Sequence, residues 1–307
     1  MPKIRPMPEV ELEDADGNVY PLAFPDRLMQ QIDGLGMPPI QHWTTRSPYQ
    51  DGRTHWGYAV QPRVVNMVLY AKGCNRADMY AKRRANIAMM SPRSGPHKLR
   101  LITPDLLKYE LHDVWVTSGY TLSSQDQPMP TRQVGGVQLT AYDPIWKWVN
   151  SPLGAGETRD SDGRTCIVDD SWTLSPELVL PFTGPFVLGT TVGTNTLTCV
   201  NDGSWETRPV ISIEGPIDDW ILTNNTNGKV LYWDGYTIPS GETVTIDIKD
   251  KTCTSDAVGD VTTYLSGDFG SFALDPGSNT LEFWAGSSVE DGVTTASVCW
   301  YVEVLGV

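Results

Sequence analysis

Between Thr223 and Trp284 the chain repeatedly alternates short two-faced runs with turn residues. In Glu242–Ile248, Val244, Ile246 and Ile248 point one way and Thr243, Thr245 and Asp247 the other, the period of a half-buried strand. Pro239-Ser240-Gly241 turns the chain into that run, and Pro276-Gly277-Ser278-Asn279 launches the next, Thr280 to Trp284. Asn227-Gly228 can supply the two positive-φ residues of a tight hairpin between Trp220–Thr223 and Lys229–Trp233. A stretch so punctuated cannot form a helical bundle. It builds sheets, and nothing in it gathers side chains for chemistry.

The chain has 307 residues, more than one hydrophobic core usually serves, so two domains are expected. Charge places the boundary. Residues 1–150 carry 17 Lys+Arg against 14 Asp+Glu, and residues 151–307 carry 6 against 23. The acidic second half is a poor match for nucleic-acid phosphates. No apolar run is long enough for a membrane span, and Met1–Gly17 lacks the apolar core of a signal peptide. A protein made and assembled in the cytoplasm is expected. The cysteines (74, 166, 199, 253 and 299) are odd in number and far apart, which favours buried free thiols over a disulfide framework.

The first half reads as α+β. Val10 and Leu12 alternate with glutamates, and Asp16-Gly17 turns the chain into Val19–Leu22, an opening hairpin. A Gly- and Pro-rich loop is expected through Pro39, then a strand over Val64–Tyr70. One helix is predicted over Asn75–Met90, with Asn75 as cap, Asp78 in the first turn and Pro92 beyond its end. Met79, Tyr80, Ile87 and Met90 fall on one side of it, and Ala77, Ala81 and Ala88 near the other. That small-residue face is a candidate interface, with a solvated face as the alternative. Strands are predicted around Leu99–Ile102, from Tyr109 through Val116, and over Val137–Tyr142. Residues 151–174 read as a connector or peripheral strand, and the rest as all β.

Candidate chemistry is thin. His42, His55, His97 and His112 show no metal spacing, and surface positions are expected for all four. Gly34-Leu35-Gly36 runs into prolines and does not cradle phosphate. Asp160-Ser161-Asp162-Gly163 lacks the ligands of a calcium loop and reads as an acidic turn. No catalytic, cofactor-binding or metal residues are assigned. Aromatics are the remaining signal. Trp300 shares a face with Val298, Val302 and Val304 and reads as core. Trp220, Trp233 and Tyr236, beside tight turns, are candidates for glycan or partner contact.

Two sets of residues together resemble the distal tail proteins of long-tailed bacteriophages. In the first half these are the opening hairpin, the helix leading into Met89–Leu101, and the strand ending in Ala141-Tyr142-Asp143-Pro144-Ile145-Trp146. In the second they are Gly203–Val210 leading into Ile211–Ile217, the hairpin around Asn227, Gly241–Asp247 and the turn at Pro276. The resemblance implies a mainly β chain. Residues 1–150 would be a β-sandwich-like α+β ring domain with one helix, and 175–307 a galectin-like or carbohydrate-module-like β-sandwich. It further implies a non-enzymatic virion protein of the tail tip without cofactors. Six copies would close a ring joining the tail tube protein to the tail hub protein and receptor-binding components, with DNA passing through the lumen unbound. The competing reading is a carbohydrate-binding or glycan-degrading protein that uses the Trp-rich second half.

Overall fold

The computed structural model describes residues 8–22, 27–122, 131–169, 173–174, 193–285 and 294–307. The chain falls into two compact units, residues 1–150 with 304–307 and residues 151–303. The architecture is mainly β, with one α-helix among the described residues.

Unit 1 is built on an antiparallel sheet. The opening hairpin forms as expected from β1 (Glu9–Glu13) and β2 (Val19–Pro21), with Leu12 opposite Tyr20 and Gly17 at φ 82° in the turn. The stretch expected as loop instead contains β3 (Arg27–Asp33). A register shift between Met29 and Gln31 interrupts its alternation, so the period-2 signal that marks other strands is broken there. Among the described residues, β4 (Ile40–Thr45) and β5 (Thr54–Val60) pair only with each other, as a two-stranded ribbon. β6 (Arg63–Lys72) leads to α1 (Arg76–Met89), followed by β7 (His97–Ile102), β8 (Lys108–Leu122), β9 (Arg132–Ala141) and β10 (Trp146–Trp148). The main sheet runs in the order β2-β1-β7-β8-β9-β6-β3, with β10 beside β8. Its buried face carries Leu12, Val65, Met67, Leu69, Leu99, Leu101, Leu111, Leu139 and Trp146, with Met89 and Met90 packed on them.

The other face of β1, β7 and β8 carries a charge ladder. Arg100 donates to Glu110 at 2.7 Å, Glu11 at 3.1 Å and Glu13 at 3.2 Å. Lys147 donates to Nδ1 of His112 at 2.8 Å, and His112 Nε2–H donates to Glu110 at 3.2 Å. Burial works to raise the Glu110 carboxyl. The hydrogen bonds from His112 and Arg100 and the charges of Arg100 and Lys98 more than offset it, and hold Glu110 at about 2. A carboxylate depressed in this way stabilises the fold above its unfolded value, and that contribution is lost as pH falls from about 4.5 through about 2. Glu110→Gln is therefore expected to cost roughly 2–3 kcal/mol at pH 7, the worth of hydrogen bonds to a charged group. Urea unfolding at pH 7 and at pH 2.5 checks this: the gap between variant and parent should shrink at the lower pH, and a pH-independent gap contradicts the assignment.

Unit 2 is a two-sheet sandwich. The segment read as a connector or peripheral strand supplies β11 (Glu157–Arg159) and β12 (Thr165–Asp169), which join a sheet at its edge. β13 (Thr173–Leu174) and β14 (Gly193–Asn201) follow, then β15 (Val210–Glu214), β16 (Trp220–Asn224), β17 (Lys229–Trp233) and β18 (Thr243–Asp247). The chain continues through β19 (Thr252–Ser255), β20 (Gly259–Asp260), β21 (Leu265–Gly267), β22 (Gly277–Ala285) and β23 (Thr295–Trp300). One sheet has the order β11-β12-β23-β15-β18-β19-β20 and the other β13-β14-β22-β16-β17-β21. Cross-strand rows of buried side chains fill the core. Val298, Ile211, Ile246 and Cys253 stand in one row, and Leu281 and Leu197 in another.

Three local expectations are corrected here. The hairpin between β16 and β17 has four loop residues, and Gly228 alone among them takes a positive φ, 71°. The Asn227 side chain instead donates to the Ala273 carbonyl at 3.0 Å and accepts from Lys229 N at 3.2 Å. Cys166 and Cys299 form a disulfide, because β12 and β23 pair in a register that sets them directly opposite. Separation by 133 residues hid this from the sequence. Cys199 and Cys253 are free and buried as expected, with burial pushing both thiols up to about 12, whereas Cys74 is free and exposed. His97 is buried, with Nε2 3.1 Å from the Met89 carbonyl and 3.2 Å from the Ser94 hydroxyl.

Candidate functional site

The aromatic residues proposed for surface contact in unit 2 divide in two. Trp220 and Trp233 are buried and nearly parallel, with ring centroids 5.8 Å apart and planes 7° from each other. Phe283 stacks on Trp220 at 5.5 Å. The Trp233 indole N–H donates to the Tyr236 carbonyl at 2.7 Å. These tryptophans face inward because each sits at an alternate position of its strand, level with Leu222 and Leu231, which are also buried. They offer no ring face to a sugar, and that part of the expectation is corrected. Tyr236 is half-buried. Its hydroxyl donates to Glu242 at 2.7 Å, and its ring stacks on Tyr264 at 5.2 Å.

The exposed side of the helix differs from the expectation. Asn75 caps α1 by accepting from Asp78 N at 2.9 Å, and Asp78 in turn accepts from Cys74 N at 2.7 Å. Ala77, Ala81 and Ala88 are exposed. The buried side is Met79, Asn86 and Met89, so Tyr80 and Ile87 do not join Met79 as the apolar pattern suggested. A polar residue, Asn86, holds the centre of the packed side, which rotates the true face away from the one hydrophobicity alone selects. Tyr80 and Ile87, each nearly half exposed, thereby lie beside the alanine face, with the exposed Arg84 between them and the alanines. Arg76 lies over the Tyr80 ring at 5.9 Å.

The most exposed aromatics that sequence reasoning missed are in unit 1. Trp56 is 72% exposed, Trp43 52% and Tyr58 52%, all on the β4–β5 ribbon, and Tyr49 is fully exposed between its strands. Trp43 lies over Gly57, where an added Cβ would meet the ring at 3.2 Å. The signal that could have found the ribbon is its turn region, where Pro48 and Gly52 stand between two short runs rich in Trp, Tyr and Thr. On this ribbon His42 and His55 are also exposed, with Nδ1 of the first 3.1 Å from Nε2 of the second. The acidic turn behaves as expected: Asp160 accepts from Asp162 N and Arg164 N, and Arg164 pairs with both carboxylates.

Residues 202–297 match the family model of the siphovirus-type tail component, C-terminal domain. In fold the chain is Dit-like. Its matched stretch begins just before the Gly203–Val210 segment and runs through most of unit 2, where the turn-punctuated strands lie. The fold is similar to that of the Dit protein of SPP1, described as a paradigm of hub adsorption apparatus in phages infecting Gram-positive bacteria. The similarity covers 96% of this chain and 98% of that one, with a TM-score of 0.58 and 11% identity. A chain of the phage p2 baseplate in its activated conformation is similar at a TM-score of 0.46 and 9% identity, over 92% of this chain and 99% of that one. No curated protein matches the sequence.

Proposed function

We propose that this Dit-like chain is a structural hub protein of a phage tail tip. Six copies close a ring that joins the tail tube protein to the tail hub protein and to receptor-binding or other tail-tip proteins. The single observation carrying the reading is the tail-component match over residues 202–297, within a chain whose fold is similar to SPP1 Dit along nearly its whole length. The mechanism is geometric. A head-to-tail contact repeated around an axis closes when its rotation fits, and leaves a lumen for DNA to pass unbound. In unit 1 the alanine face of Ala77, Ala81 and Ala88, with Tyr80 and Ile87 beside it, is the face we assign to the neighbouring copy, because small residues let another backbone approach closely. The acidic unit 2 is assigned to tail-tip partners.

Light scattering of the purified chain at high concentration tests the ring. The expected mass is six times the 33.9 kDa of one chain, with annular particles in electron micrographs. A strictly monomeric mass with no annuli overturns the reading. Ala81→Arg is expected to return the mass to that of a single chain without changing the melting temperature of the monomer by more than about 2 °C, because an exposed substitution touches no core. A hexamer that persists in Ala81→Arg leaves the ring standing and removes the helix face from it.

The competing glycan-binding reading loses its support with Trp220 and Trp233 in the core. What unit 2 keeps outside are tyrosines: Tyr232, 44% exposed, and Tyr264, 36% exposed and stacked on Tyr236.

A further inference from the structure

We propose that His42 and His55 form a binding site for a late first-row divalent metal ion, such as Ni(II), Cu(II) or Zn(II), that bridges the two strands of the ribbon. The two residues are 13 apart and show no metal spacing in the sequence. The ribbon brings them together. His42 stands opposite Tyr58 and His55 opposite Thr44, and the register shifts between Trp43 and Thr44. The two imidazoles thus become diagonal neighbours on one face, with ring centroids 5.3 Å apart and planes inclined by 57°. Their nearest ring nitrogens, Nδ1 of His42 and Nε2 of His55, are 3.1 Å apart.

That separation is the one a shared ion requires. Two imidazole nitrogens at about 2.0–2.1 Å from one metal stand about 2.9 Å apart across a right angle and about 3.4 Å across a tetrahedral one. The observed distance lies between these limits, so small rotations of two exposed rings admit the ion. Without metal, one nitrogen carries the proton of an N–H···N hydrogen bond. On binding, that proton moves to the other nitrogen of the same ring, which faces solvent, and no net proton is released from two neutral rings. Two nitrogen donors select ions that favour imidazole, and not calcium or magnesium, which take oxygen. Water completes the coordination, since both side chains are exposed.

The site has a structural use. A two-stranded ribbon by itself is only marginally stable in water. Among the described residues, β4 and β5 pair with no third strand. An ion held by one histidine from each strand binds only the paired form and stabilises it by mass action. The remaining histidines do not compete, since His97 is buried and His112 lies between Lys147 and Glu110.

The test is calorimetric titration of the untagged full chain with nickel chloride near pH 7.5. The parent is compared with His42→Ala, His55→Ala and Cys74→Ser, the last removing the one exposed free thiol. One site per chain is expected, weakened about tenfold or more in each histidine variant and unchanged in Cys74→Ser. Amide exchange across residues 40–60 should slow on adding nickel in the parent and in Cys74→Ser, and in neither histidine variant. No binding by the parent, or binding as strong in both histidine variants as in the parent, overturns the proposal.

Discussion

Arg63→Ala is expected to lower the stability of unit 1 by about 3–5 kcal/mol, the cost of leaving buried groups without their charged partner. Arg63 is almost completely buried at the start of β6. Its guanidinium donates to the carbonyls of Pro144 at 2.8 Å, Gly34 at 2.8 Å, Leu35 at 3.1 Å and Leu305 at 2.7 Å, and also to that of Gly36. It lies over the Trp146 ring, whose indole N–H reaches the same Leu35 carbonyl at 3.2 Å. One side chain thus ties three separate stretches of backbone to the sheet: the 34–36 loop, the turn before β10 and the segment after Glu303. Burial pushes the Arg63 pKa down to about 10, so the group still enters the fold charged at neutral pH and its carbonyl partners carry that charge.

The loop is shaped for this role. Gly34 has φ +95°, and a Cβ there would sit 2.1 Å from the Val64 carbonyl oxygen. Gly34, the first glycine of what looked like a failed phosphate loop, lets backbone lie close against β6. Arg63→Lys is expected to recover little, because a single ammonium cannot reach carbonyls on several sides as the planar guanidinium does. Urea unfolding followed by tryptophan fluorescence measures both variants. A loss under about 1 kcal/mol for Arg63→Ala would show that the clamp is not structural.

Trp220→Ala is the second large effect, with an expected loss of about 3–5 kcal/mol in unit 2. The ring is flanked by Trp233 and Phe283, so its removal takes away a slab between two others and leaves a cavity that stacked indoles cannot collapse into. For a unit of this size the melting temperature should fall by roughly 10 °C. Trp56→Ala, on the exposed ribbon, should change stability by no more than about 0.5 kcal/mol. Thermal unfolding of the full chain by circular dichroism compares them. If Trp220→Ala melts with the parent while Trp56→Ala does not, the inward and outward roles of these aromatics are reversed.

Much of the strand map was readable because alternation is local. The Val244-Ile246-Ile248 face, the β1–β2 hairpin and the Asn75 cap each rest on residues within a few positions of one another, and each forms as read. β3 was not readable, because the bulge after Met29 breaks its period. The ribbon was passed over because neither of its strands has a buried face to advertise. The helix was placed correctly but turned wrongly, because Asn86 packs where an apolar residue was expected.

The sequence by itself determined that this protein is a mainly β chain with one capped helix and an acidic second half, since propensity, turn chemistry and charge act over short distances. Only the tertiary structure decided which aromatic rings face solvent, which cysteines bond, which carbonyls Arg63 gathers and that His42 meets His55. Period-2 patterning says which side chains share a face. Whether that face is covered depends on a layer or strand that may lie a hundred residues away, and burial, disulfides and paired side chains all follow from that covering.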